Sequence, residues 1–145
     1  MSFQALFAEV TAGNPHFGHR QHVHLTWLAV RRHGTEEAIA VVSDGIRQTA
    51  RYAGAPQKYH ATVSRAWVEA VGYHAAEHPG EDFPAFADAN PALLDKRLLS
   101  RFYSSALLAS APARTGWVEP DREPFPWQTK VPPPMRSIDG GTGTA

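Results

Sequence analysis

The stretch HRQHVHLTWLAVRRH, residues 19–33, decides the fold. It contains neither Gly nor Pro, and apolar residues occupy almost every side of a helix built on it. Arg31, Arg32 and His33 complement the helix dipole at its end, and Gly34 is a common stop signal. Because a helix that is apolar nearly all round must be covered by neighbours, these residues predict a central helix.

Further helical segments follow along the chain. Thr35 is the predicted N-cap of a second helix, which ends before Gly54. The pattern predicts a third helix from about Lys58 to Ala76 and a last long helix over residues 96–110. No segment alternates with a period of two for long enough to form a strand. The predicted fold is all-α, a compact bundle of about four long helices.

The composition changes near residue 111, where Pro becomes frequent and the helical periodicity ends. The first half of this segment still carries Trp117, Val118, Phe125 and Trp127. We therefore expect an extended, Pro-rich C-terminal strap that lies on the helices. Residues 1–128 are predicted to form a single helical domain and residues 129–145 a disordered tail.

Composition excludes several classes of partner. The 145 residues include 14 basic and 14 acidic side chains and no Cys, so the basic surplus of a nucleic-acid-binding protein is missing. No signal-peptide pattern and no run of roughly 18 apolar residues is present, which predicts a soluble cytoplasmic protein without membrane attachment. No glycine-rich phosphate-binding motif occurs, so no nucleotide cofactor is expected.

Four histidines lie within residues 16–24. Residues three or four apart share a helix face, so His19 and His22 lie together, whereas His24 points about 200° away from His22. His60 begins the predicted third helix. Because short connections make successive helices antiparallel, we expect this helix to run roughly parallel to the helix of residues 19–33 and to start at the same end of the bundle. His19, His22 and His60 are therefore candidate ligands of a divalent metal, namely zinc, copper, iron or manganese. The alternative is that these histidines are structural and bond to backbone carbonyls.

Other polar residues are candidates to complete an active site. His60 is the candidate acid or base, and Tyr59 lies beside it in KYHATVS, residues 58–64. Tyr103 and Arg101 in SRFYSS, residues 100–105, are candidates to position a substrate through a hydroxyl and a guanidinium. The alternative for this pair is ordinary packing with the polar tips in water.

The motifs FGHRQHVHLTW, KYHATVSRAW and RFYSS follow one another in this order along the chain. In this respect residues 17–121 resemble small uncharacterised bacterial all-helical proteins with a His-rich first helix and a YHxT-type motif. The resemblance implies a helical fold, and it carries no activity and no catalytic role over to this chain.

These observations lead to three functional hypotheses. The leading one is a small enzyme that acts on a small organic substrate through its histidine cluster, either with a bound divalent metal or by acid–base chemistry. The second is a non-catalytic small-ligand-binding or accessory helical protein. The third is a structural or regulatory homodimer in which Trp27, Trp67 or the strap meets a second subunit.

Overall fold

The computed structural model of the protein describes residues 2–13 and 16–127. All regular secondary structure in these ranges is helical, as predicted. The α-helices are α1 (Phe3–Val10), α2 (His19–His33), α3 (Thr35–Tyr52), α4 (Ala61–Ala76), α5 (Phe83–Ala89), α6 (Ser105–Leu108) and α7 (Ala111–Thr115). Short 3-10 helices cover Pro56–Lys58, Pro91–Leu94 and Leu98–Arg101. Within the described ranges, no helix is both long and apolar enough to cross a membrane.

Helix α2 is central, as its apolar sequence predicts. Val23, Leu25 and Ala29 are fully buried, and Trp27 is nearly so. Helix α2 packs against both α3 and α4, which also pack against each other. Gly34 follows α2 with a φ of 84°, a conformation that favours glycine. Gly34 is also the N-cap of α3, and Thr35, the predicted N-cap, is its first helical residue. The predicted bounds of α2 are confirmed.

Helix α1 is not among the helices predicted above. Ser2 caps it by accepting a hydrogen bond from the Ala5 N–H at 3.1 Å, and Leu6 is completely buried. The ring of Phe3 lies against Gly45 of α3, at a place where a Cβ on Gly45 would overlap the ring. Helix α1 therefore packs on α2 and α3 and adds two phenylalanine rings, Phe3 and Phe7, to this side of the fold.

Helix α4 begins later than the predicted Lys58. A 3-10 turn occupies Pro56–Lys58, and His60 is the N-cap of α4. The His60 Nδ1 accepts a hydrogen bond from the Val63 N–H at 3.1 Å, which satisfies one of the free donors at the helix start. The cap places the His60 ring at the end of the bundle where α2 also begins.

The predicted long helix over residues 96–110 is wrong. This segment forms the 3-10 helix Leu98–Arg101 and then α6, and α7 follows. Ser104 and Ser110 act as N-caps of α6 and α7, with their hydroxyls accepting from the Leu107 and Ala113 N–H groups. Serine hydroxyls compete with backbone carbonyls for backbone N–H donors in this way. The segment whose sequence pattern predicts one long helix therefore forms several short helices.

The strap, residues 116–127, contains no helix and lies against α4. The Thr62 hydroxyl donates to the Gly116 carbonyl at 2.6 Å and accepts from the Val118 N–H at 3.2 Å. Phe125 is completely buried in the core. The extended strap predicted from about residue 111 thus begins only at residue 116, because Ala111–Thr115 forms α7. The predicted disordered tail, 129–145, lies outside the described residues.

Candidate functional site

A cavity of about 350 Å³ lies among α1, α2, α3 and α4. Its walls are mainly aromatic and aliphatic, formed by Phe3, Phe7, Phe17, Ile46, Val63 and Trp67. The polar residues that line it are His22, Thr49, Lys58, His60 and Ser64. A small number of polar groups in a mainly apolar cavity of this size is typical of small-molecule sites.

His22 is the polar group that distinguishes this cavity. It lies in the first turn of α2, and the ring of Phe17 meets its imidazole edge-on with centroids 6.5 Å apart. No described residue forms a hydrogen bond with this imidazole. Burial, with a smaller effect from His19, lowers the pKa of His22 to about 4. At neutral pH the ring is therefore uncharged and offers one N–H and one lone pair to the cavity.

Ser64 lies on the neighbouring helix and lines the same cavity. The residue is only 6% exposed, yet in the described part of the chain its hydroxyl has no hydrogen-bond partner. A hydroxyl both donates and accepts. Together, Ser64 and His22 give the cavity two polar side chains whose hydrogen-bonding capacity the fold leaves unused.

His60 also borders the cavity, but both of its ring nitrogens are occupied. Nδ1 accepts from the Val63 N–H, so the ring proton lies on Nε2, which donates to the Leu108 carbonyl at 2.7 Å. This imidazole has no lone pair left for a metal or for proton transfer. Its observed role is to cap α4 and to hold the residues around Leu108 against it.

His19 turns away from the cavity. Its Nε2 lies 2.9 Å from the Leu93 carbonyl and donates to it, and its ring meets Trp67 edge-on with centroids 4.8 Å apart. The rings of His19 and His22 have centroids 6.4 Å apart. His24 lies on another side of α2, as expected, and stacks on Phe83 at 4.2 Å.

These positions do not fit the predicted metal centre. His60 has no free nitrogen, and His19 and His22 alone supply too few ligands for a catalytic metal site. Across residues 2–13 and 16–127, no group of three or more His, Cys, Asp or Glu side chains is arranged to hold a metal ion. The alternative reading, in which His19 and His60 bond to backbone carbonyls, describes the observed geometry of these two.

The other predicted site residues lie away from the cavity. Tyr103 is 1% exposed, its hydroxyl donates to the Val118 carbonyl at 2.8 Å, and burial raises its pKa. Arg101 is exposed and lies 3.9 Å from the Glu123 carboxylate. Tyr59 is half-buried, with the Arg47 guanidinium 6.0 Å from its ring. None of Tyr59, Arg101 and Tyr103 lines the described cavity walls, so the substrate-positioning roles expected of them have no support in this arrangement.

The sequence predictions missed most of the cavity wall. Phe3 and Phe7 are four positions apart and share one face of α1, which is the signal that identifies them as a pair. Phe17 precedes α2 and gave no such signal. No family model, no curated protein and no solved structure matches this chain, so the geometry of the cavity carries the functional argument.

Proposed function

We propose that the protein binds a small organic molecule with an apolar body in the cavity bordered by His22. The observation that carries this proposal is the neutral, protein-unbonded imidazole of His22 in a cavity walled by aromatic rings. In the described part of the chain the polar atoms of His22 and Ser64 are not sealed in the core, so they are accessible to a molecule in the cavity. A hydrogen bond from a ligand to His22 or Ser64 contributes a net of about 0.5–1.5 kcal/mol, and the apolar body of the ligand gains from contact with the rings.

The cavity has the size and composition that such a ligand needs. At about 350 Å³ it falls within the range of known ligand sites and accommodates a molecule of one or two rings. Trp67, Phe7 and Phe17 provide flat apolar surfaces, and removing apolar area from water contributes about 25 cal/mol per Å².

Proton transfer by His22 is the second candidate function. It corresponds to the enzyme hypothesis in its acid–base version, with His22 as the acid or base in place of His60. Because its pKa is lowered to about 4, His22 retains a free lone pair at neutral pH and acts as a hydrogen-bond acceptor or base toward a bound molecule. Catalysis would then follow a pH profile with its acidic limb near pH 4 and not near the ordinary histidine pKa of about 6.5.

Two of the residues proposed as contacts of a homodimer are buried inside the single chain. Trp27 and Trp67 are 6% and 5% exposed within one chain, so neither presents a surface to a second subunit. Among the described aromatic residues, Tyr52 is the most exposed, at 96%, and it stands at the end of α3 away from the core.

Ligand-detected NMR with 2-naphthylacetamide, an uncharged two-ring probe, tests the proposal. We expect saturation transfer to the probe from the wild-type protein and loss of the signal in Val63→Phe, where the larger side chain fills the cavity. Ile39→Phe is the matched control, because Ile39 lines a separate groove beside Tyr73 and Trp127. Equal signals from both variants, or no signal from the wild-type protein, would contradict the proposal.

A further inference from the structure

The charge that borders the cavity is positive and lies at one place in its wall. Of the described lining residues, Lys58 is the only Lys or Arg, and no Asp or Glu is among them. Lys58 is exposed, at the end of the Pro56–Lys58 turn. It therefore marks the side of the cavity that faces water.

Lys58 is not neutralised by the protein. Within residues 2–13 and 16–127, no carboxylate lies within ion-pairing distance of its ammonium group. A second cation lies nearby, because the Arg114 guanidinium donates a hydrogen bond to the carbonyl of Gln57, the preceding residue. Arg47 stands over Tyr59, but Asp44 pairs with it at 2.9 Å. The segment around Lys58 thus carries an excess of positive charge next to an opening lined by aromatic rings.

We infer that the ligand is an organic anion, a carboxylate with an aromatic or branched apolar body. Its carboxylate pairs with Lys58 at the water-facing side, and its body lies among Phe7, Phe17 and Trp67 and extends toward His22. This inference rests on the proposed function and adds the chemical class of the ligand. The inner end of the cavity, where His22 is neutral, accommodates a hydrogen-bonding group without charge.

The size of the charge effect is limited by the exposure of Lys58. Ion pairs in contact with water contribute little and weaken with salt. We therefore expect an arylacetate to bind about three- to fivefold more tightly than the amide of the same shape, with the difference reduced at high ionic strength.

Isothermal titration calorimetry with 2-naphthylacetate and 2-naphthylacetamide measures this preference. The wild-type protein is expected to prefer the acid in low salt, and Lys58→Gln to bind both probes with the affinity of the amide. Lys96→Gln is the matched control, because Lys96 is exposed and does not line the cavity. This control is expected to keep the preference for the acid.

The two proposals fail in different ways. Equal affinities of acid and amide for the wild-type protein, or a preference that persists in Lys58→Gln, would overturn the anion inference and leave the ligand site standing. Absence of binding of both probes would overturn the ligand site and the anion inference together.

Discussion

The ring of Phe3 in α1 occupies the space that a side chain at Gly45 in α3 would need. Gly45 is buried within a regular helix, and the close approach brings α1 onto α3 and places Phe3 in the wall of the cavity. A glycine inside a helix costs about 1 kcal/mol relative to alanine. Here its small size serves the packing between two helices.

Gly45→Ala is expected to destabilise the protein although alanine is the better helix former. The new methyl group displaces Phe3, and such overpacking costs about 1–3 kcal/mol, more than the gain in helix propensity. In a Phe3→Ala background the conflict disappears, so Gly45→Ala should then stabilise by about 1 kcal/mol. Urea unfolding of the four proteins measures both effects. The same sign in both backgrounds would show that Phe3 and Gly45 are not in contact.

The stability of the fold is expected to depend on pH through His22. The pKa of His22 is about 4 in the folded protein and about 6.5 in the unfolded chain, so between these values the unfolded chain binds the additional proton. The free energy of unfolding should therefore decrease as pH falls from about 6.5 to about 4, by roughly 3 kcal/mol from this residue.

The variant His22→Gln isolates this contribution. Gln does not titrate, so the difference between the wild-type and variant unfolding free energies should change by the same roughly 3 kcal/mol over that range. Chemical unfolding at several pH values measures it. Burial also lowers the pKa of His24 and of His74, and these contributions cancel in the comparison. Parallel pH dependence of the two proteins would show that His22 is not buried in its neutral form.

Substitutions of His60 separate its two hydrogen bonds. His60→Ala removes both the cap on the Val63 N–H and the bond to the Leu108 carbonyl, and should cost about 2 kcal/mol. His60→Asn supplies a good N-cap but is too short to reach Leu108, so about half of the stability should return. Thermal and urea unfolding report these differences. An Asn variant no more stable than the Ala variant would contradict the capping role.

Tyr103→Phe distinguishes a structural from a ligand-binding hydroxyl. The substitution leaves the partly buried Val118 carbonyl without its donor and should cost about 1–2 kcal/mol in stability. Because Tyr103 does not line the cavity, the affinity for 2-naphthylacetate should stay within twofold of the wild-type value, or about 0.4 kcal/mol. If the variant is stable but loses much of its affinity for the probe, the Tyr103 hydroxyl takes part in ligand binding and this prediction is wrong.

Elemental analysis of untagged protein tests the three-histidine metal prediction directly. With both nitrogens of His60 engaged, we expect less than one equivalent of zinc, copper, iron or manganese per chain. One full equivalent in the wild-type protein, lost in both His22→Ala and His60→Ala, would show that the His60 ring leaves its carbonyl partner to bind metal.

Local sequence signals were sufficient for α2 and for most of α3 and α4, but not for residues 96–110. Residues 19–33 are apolar on almost every side and are followed by a glycine, and both features are visible in the sequence. The predicted helix therefore agrees with α2 in both bounds. The predicted start of α4 at Lys58 is too early, because histidine is an uncommon N-cap and His60 therefore gives no strong start signal. The sequence around Ser104 and Ser110 is compatible both with a helix interior and with an N-cap. Only the contacts of these serines in the fold determine which of the two they form. Ser104, for example, bonds to Asp121 of the strap.

The candidate site could be predicted only in part. The sequence identified His22 and the end of the bundle where it lies, because the spacing of residues on one helix is local information. The partners that occupy His19 and His60 are carbonyls of Leu93 and Leu108, distant in sequence. Backbone carbonyls occur at every residue, so no pattern of side chains reveals which of them will meet a given imidazole.

An imidazole ¹H–¹⁵N spectrum of labelled protein, recorded with and without saturating 2-naphthylacetate, tests most directly whether the cavity is a ligand site. The expectation is that the ¹H and ¹⁵N signals of the His22 ring shift when the probe fills the space beside it, while those of His19, which is bonded to the Leu93 carbonyl, stay in place. An unchanged His22 in the presence of bound probe would contradict it.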